Sequence, residues 1–142
     1  PPSAWTFMFG TFQQSTLRVE VDAPAEVIRD SILQPRQFKQ WLWPQTFSPG
    51  LPNVLERGTT FTSYLGPLRV QHQVTELTSQ HLRLLLWESV DGFHEWTWGD
   101  EWVQSRIEGI SILPLNLSQS LNLIRLQRFL AEQDVIATSP MR

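Results

Sequence analysis

From Thr16 to Asp22 apolar and polar residues alternate strictly, with Leu17, Val19 and Val21 on one face and Arg18 and Glu20 on the other. A period of two is that of a half-buried strand. The period then changes. Asp22 can cap a helix that Pro24 opens, and Val27, Ile28 and Ile32 give it an apolar stripe until Gln34-Pro35 stops it. A second short helix runs from Pro35 through Phe38, Trp41 and Leu42 and ends before Pro44, because a residue preceding proline is driven out of the helical region.

After the loop marked by Ser48, Pro49, Gly50 and Pro52, the chain to Glu108 shows short runs separated by turns and no helical periodicity, as in an antiparallel meander. A hairpin at Gly66-Pro67 with Leu65 opposite Leu68 gathers Phe61, Ser63, Leu65, Leu68, Val70, His72 and Val74 on one face. The other face is Thr60, Thr62, Tyr64, Arg69, Gln71, Gln73 and Thr75. This separation sets the register, since a slip of one residue inverts every side chain. Thr78-Ser79-Gln80 then turns the chain into His81–Ser89, where Leu82, Leu84 and Leu86 point inward and Arg83 and Trp87 outward. A second hairpin at Gly99-Asp100 is expected to place Trp98 opposite Glu101, Trp96 opposite Val103 and His94 opposite Ser105. Its inner face is His94, Trp96, Val103, Ser105 and Ile107; the outer face of Phe93, Glu95, Thr97, Trp102, Gln104 and Arg106 carries the charges, with Glu95 and Arg106 or Gln104 as a surface pair.

Pro114 ends the last strand, and Ser118 can cap a helix reaching to about Gln133, the longest in the chain. Leu123, Leu126 and Leu130 form one stripe along it and Leu117, Leu121 and Ile124 another. A helix apolar on two sides needs cover on both. The whole reads as one domain over residues 16–134, preceded by an apolar arm or leading strand at 1–15 and followed by a tail at 135–142. Pro1, Pro2, Trp5, Phe7, Met8, Phe9 and Gly10 give that arm its character.

Composition narrows the function classes. The 142 residues are 41% hydrophobic and 18% charged and include no cysteine, which rules out a disulfide framework, a thiolate metal site and a cysteine nucleophile. A domain of this size buries about two-thirds of the surface its unfolded chain exposes, enough for a core without staples. Fourteen acidic against eleven basic residues leave a formal charge of −3, and the basic residues are scattered, so neither nucleic acid nor an anionic membrane is an expected partner. The longest apolar run, Leu84 to Trp87, is far short of the roughly 20 residues of a membrane span. No basic residue precedes the apolar N-terminal stretch and no small-residue cleavage pattern follows it, so the expected location is cytoplasmic. Seven Trp and eight Phe against one Tyr are the unusual feature, and those rings need a place.

The order strand, two short helices, six strands and long C-terminal helix resembles the START/Bet v 1-like superfamily, also called SRPBCC. The resemblance is carried by Val19-Glu20-Val21-Asp22-Ala23-Pro24-Ala25-Glu26-Val27-Ile28 and then Pro35 to Trp41, similar to that family's opening strand and its second helix ending on Trp. Gly58 before a Thr-rich strand, Val74-Thr75-Glu76-Leu77 before a turn, and a Trp-bearing hairpin before the last helix are similar to its polyketide cyclase/dehydratase-like branch. The match spans Thr16 to Leu130. It departs from the family at the aromatic N-terminal arm and at Gly99-Asp100-Glu101, where the branch has a Gly-Thr pair. What the resemblance implies is an α+β helix-grip fold, a seven-stranded antiparallel sheet wrapped around the C-terminal helix. It also implies a pocket between the two for a lipid, sterol, polyketide or pigment-like molecule.

On that reading the candidate ligand-binding residues are Phe61, Ser63, Leu65, Val70, His72, Leu84 and Leu86, then His94, Trp96, Val103 and Ser105 from the second hairpin and Leu123 and Leu126 from the helix. Each has a second reading as solid core. Trp96 and Trp98 either stack on a flat ligand or fill the interior with the indole N–H bonded to a neighbour. His72 and His94 are the candidates for catalytic proton transfer, which needs titration near neutrality, and are otherwise hydrogen-bonded core residues. No metal is expected, because His72, His81 and His94 lie on three strands, His81 faces out, and no H-x-H or H-E-x-x-H spacing occurs. No cofactor is expected either: the glycines form no phosphate-cradling cluster, and Ser63 and Ser105 have no base beside them in sequence.

Three functions follow. The first is a non-enzymatic carrier or sensor of a hydrophobic small molecule. The second is a cyclase/dehydratase-type enzyme with His72 or His94 as acid/base. The third is an interaction or oligomerisation domain, with a homodimer formed through the N-terminal arm or C-terminal helix and Trp87 and Trp102 on the outer face. A Trp-rich carbohydrate-binding sandwich does not fit the long amphipathic helix.

Overall fold

The alternation at Thr16–Asp22 belongs to a strand that begins earlier, at Thr11, in a computed structural model describing residues 10–138. This strand, β1 (Thr11–Glu20), is followed by α1 (Ala25–Leu33), α2 (Pro35–Trp41) and β2 (Thr46–Phe47). The strands β3 (Thr60–Leu65), β4 (Leu68–Thr78), β5 (His81–Glu88), β6 (Val90–Gly99) and β7 (Trp102–Ser111) come next, and α3 (Leu115–Thr138) is the last described element. All pairings are antiparallel and build one seven-stranded sheet in the order β1-β7-β6-β5-β4-β3-β2. Residues 11–15 are thus strand, whereas residues 1–9 of the apolar arm lie outside the described residues. The helix at the other end continues past Gln133 into the segment assigned to a tail.

The β3–β4 hairpin has the register that its two faces dictate, with Leu65 opposite Leu68 and Phe61 opposite His72. The β6–β7 register differs from the expected one. Gly99 faces Trp102, Trp98 faces Val103, Trp96 faces Ser105 and His94 faces Ile107, so each partner moves two positions along β7. The cause is the turn, which is made by Asp100 and Glu101 rather than Gly99 and Asp100, with Glu101 in the left-handed region at φ 65°. A shift of two residues preserves the inner and outer faces. Trp98 therefore joins Trp96 inside and is wholly buried, but its indole N–H does not find the neighbouring acceptor expected of a core tryptophan.

That turn also does what Asp22 was expected to do. Pro24 occupies the N-cap of α1 without a capping side chain, and the Ala25 N–H donates to Asp100 Oδ1 at 2.8 Å. Glu101 is tied to the same segment, its N–H donating to Ala23 O at 2.9 Å and its carbonyl accepting from Val21 N–H at 3.1 Å. The hairpin tip caps a helix far away in sequence. Asp100→Ala should lower stability by about 1 kcal/mol, the usual value of an N-terminal cap, measured as a fall in urea midpoint with unchanged slope.

At the start of α3, Ser118 likewise does not cap. The Leu115 N–H donates to Gln13 Oε1 at 2.9 Å, and Gln13 Nε2 donates to the Ser111 and Leu113 carbonyls. Strand β1 thus anchors the helix, and α3 packs chiefly against β1, with β7 and α2 as lesser neighbours. Leu123, Leu126, Phe129 and Leu130 form its buried side, meeting a core that includes Ile28, Leu33, Trp41, Trp98 and Val103. The second stripe is not covered: Leu117, Leu121 and Ile124 are exposed. Outside the sheet, Trp102 lies under Arg18 at 4.1 Å and Phe93 under Arg83 at 4.1 Å, which gives two outer rings a partner.

Candidate functional site

Because α3 leans on the β1–β7 side, the inner face of β3 to β6 is left partly uncovered. The result is a cavity of about 290 Å³ between that face and the helix. This is the small end of the range for small-molecule sites. Phe61, Ser63, Leu65, Leu68, Val70 and His72 line it from β3 and β4, and Leu84, Leu86, Val90, His94 and Trp96 from β5 and β6. Leu42, Pro44, Gln45 and Phe47 line it between α2 and β2, and Ser118, Gln119, Leu121, Asn122 and Arg125 from α3.

Phe61, Ser63, Leu65, Val70, His72, Leu84, Leu86, His94 and Trp96 are therefore brought together, as the inner-face pattern places them. Val103, Ser105, Leu123 and Leu126 are not on the lining; all four are buried in the packed interior. For the helix the reason is rotation. Its most apolar stripe is drawn to the dry β1–β7 side, so the cavity receives the mixed face of Ser118, Gln119, Asn122 and Arg125. Their helical spacing is visible in the sequence, but polar residues so spaced read as a solvent face.

A line of polar groups crosses the apolar lining. Ser63 Oγ lies 2.8 Å from His72 Nε2 on the neighbouring strand, and His94 Nε2 lies 2.7 Å from Ser105 Oγ. Gln119 Nε2 donates to Ser105 O at 2.8 Å, to Ser105 Oγ at 3.0 Å and to Ser15 O at 3.2 Å. Carbonyls only accept, so these contacts orient the Gln119 amide with its nitrogen toward β1 and β7. Ser105 Oγ then accepts from Gln119 and can pass its own hydrogen to His94 Nε2, which leaves the ring proton of His94 on Nδ1. The rings are held as well: His72 stacks on Phe61 with centroids 4.5 Å apart, and His94 lies 4.7 Å from Trp96.

Burial dominates the electrostatics. It pushes His72 down to about 3, with a further contribution from His94, and pushes His94 down to about 4. His94 keeps an accessible edge, and that edge is on the cavity. Both imidazoles are neutral at pH 7.

On the outer face Glu76, His81 and Glu95 converge, a grouping of the kind that can hold a metal. Within it His81 presents Nε2 to Glu95 at 2.8 Å and the opposite nitrogen, Nδ1, to Glu76 at 3.9 Å. Arg83 and Arg106 also approach the Glu95 carboxylate, at 3.8 and 3.7 Å. No helix among the described residues is long and apolar enough to cross a membrane.

No family model and no curated protein matches the chain by sequence. Solved structures match its fold. A Chromobacterium violaceum protein is 19% identical, with 82% of this chain and 96% of that one covered at a TM-score of 0.67. The architecture is helix-grip-like. The chain also matches DynU16, a protein in the dynemicin biosynthetic locus, at 18% identity and TM-score 0.61 over 83% of its length, corresponding to 47% of that longer chain. The Aha1 protein from Colwellia psychrerythraea, solved as a dimer in solution, is 14% identical with a TM-score of 0.60, covering 83% of this chain and 96% of that one. At these identities the likeness is one of fold.

Proposed function

We propose that the protein binds a hydrophobic small molecule, lipid-, polyketide- or pigment-like, between the sheet and α3, and that it carries or senses this molecule rather than converting it. The observation that supports this most is the cavity itself, apolar over most of its lining and crossed by a few oriented polar groups. Placement in the START/Bet v 1-like superfamily rests on the Val19–Ile28 segment together with the helix-grip-like architecture. The fold likeness to a protein of a biosynthetic locus is in keeping with a small-molecule ligand. Against a cyclase or dehydratase stand the two histidines, whose lowered proton affinities make them weak bases and leave no imidazolium to act as an acid near pH 7.

The test is to purify the protein from a native-like host, extract it with organic solvent and analyse extract and intact protein by mass spectrometry. One lipophilic compound per chain is the expected result. Returned to the stripped protein and incubated, it should come back with mass and chromatographic retention unchanged. An empty protein that also ignores a panel of lipids and flat aromatics would remove the binding reading, and a changed compound would make the protein an enzyme. A second reading, association of two copies through α3, is favoured by the exposed Leu117, Leu121 and Ile124, and appears in the same intact spectrum as a doubled mass.

A further inference from the structure

His94 keeps one hydrogen-bonding atom for the cavity. Its Nε2 lies 2.7 Å from Ser105 Oγ, which itself accepts from the Gln119 amide at 3.0 Å. The Ser105 hydroxyl therefore gives its hydrogen to His94 Nε2, and the neutral ring carries its one proton on Nδ1. Among the described residues nothing accepts from this Nδ1–H, yet it is not sealed in the interior as the Nδ1 of His72 is. The surface left to it opens into the cavity, because the cross-strand neighbours Leu84 and Ile107 and the next inward residue, Trp96, all line the same space. A donor without an acceptor thus stands in an apolar part of the wall, where leaving it unmet is costly.

We infer that the ligand presents a neutral carbonyl oxygen, as in a ketone or quinone, to the Nδ1–H of His94. This deepens the binding reading above and rests on it. The lining includes no Asp or Glu, so nothing there answers an ammonium group. Its cation, Arg125, is engaged with the Trp43 carbonyl and lies over the Trp43 ring, so a carboxylate at His94 would be buried without a counter-charge. A hydroxyl would accept from Nδ1–H but bring a hydrogen of its own. Leu84, Ile107 and Trp96 offer that hydrogen no acceptor, and the Ser105 oxygen is already taken. A carbonyl only accepts, so it is matched in full. Sites built to hydrogen-bond one ligand group discriminate against its absence far more strongly than apolar pockets discriminate one methylene.

The first measurement needs no ligand. Long-range proton–nitrogen NMR correlations of the histidine rings at pH 7 should show His94 in its Nδ1–H form; an Nε2–H pattern would overturn the inference at its root. Binding is then read by equilibrium dialysis of the intact protein with two probes of one shape, methyl β-naphthyl ketone and β-isopropenylnaphthalene, which differ by a carbonyl oxygen against a methylene. The ketone should bind about tenfold more tightly, because the hydrocarbon leaves a buried donor unanswered. His94→Phe should abolish that gap by weakening the ketone alone. Should this variant not fold, Ser105→Ala removes the hydroxyl that fixes the tautomer and narrows the same gap. Equal binding of the two probes to wild type would overturn the carbonyl inference and leave the cavity standing as an apolar site. A gap that persists in both variants would overturn the assignment to His94, and β-naphthoate binding more tightly than the ketone would replace the neutral carbonyl with an acid. If no probe binds, the cavity reading itself fails and takes the inference with it.

Discussion

Between pH 7 and pH 5 the protein should lose about 4 kcal/mol of stability, a large share of what a domain of this size has. In the unfolded chain His72 and His94 take up protons around the usual 6.5, whereas burial delays them to about 3 and about 4 in the folded protein. Over that window the unfolded state binds more protons, so stability rises with pH and is lost on acidification. Each histidine contributes up to about 1.4 kcal/mol per pH unit between its two values, with the full stabilisation present above about pH 6.5. Urea unfolding at pH 7, 6 and 5 reads this directly. His72→Phe and His94→Gln should each remove about half of the slope. A profile flat down to pH 5 would mean that the imidazoles reach their protons without unfolding, through an opened cavity.

Gly92→Ala should destabilise by about 3 kcal/mol or more, beyond the common range for an over-packed interior. Gly92 lies opposite Gly109, where β6 and β7 come so close that a Cβ on Gly92 would sit 1.9 Å from Glu108 O and 2.5 Å from Gly109 Cα. Those are backbone atoms, which cannot turn aside as a flexible side chain would. The strands must part, breaking ladder hydrogen bonds near His94 and so beside the cavity. Gly66→Ala, at a left-handed turn with open space around it, is the comparison: its cost is conformational and about 1 kcal/mol. Denaturant melts that ranked the two substitutions equally would show that the β6–β7 contact relaxes at little cost.

What was legible in the sequence follows from what a period of two can carry. The β3–β4 hairpin could be placed because its apolar and polar faces separate cleanly around Gly66-Pro67. The β6–β7 pairing could not, because a two-residue shift leaves the faces identical; the deciding contacts run from the tip to Ala23 and Ala25, distant in sequence. Strand β2 has only two residues, too few to show a period. In the site, Phe61, His72, His94 and Trp96 are legible by facing inward, whereas the hollow was implied by the family resemblance alone, since the same side chains can line a filled interior. Gln119 was missed because its environment comes from the lean of α3 toward β1, which no local pattern records.

The pairing of β1 with β7, from Thr11 opposite Ser111 to Glu20 opposite Trp102, sets an order of events during synthesis. Of these seven strands β1 leaves the ribosome first and is among the last to find its neighbour, and it holds Gln13, which caps the helix that follows still later. Hairpins formed by neighbouring strands can assemble early, at low loop-closure cost, while β1 waits with its ladder groups unpaired. During that interval the growing chain carries an open strand edge, the segment on which a chaperone would act.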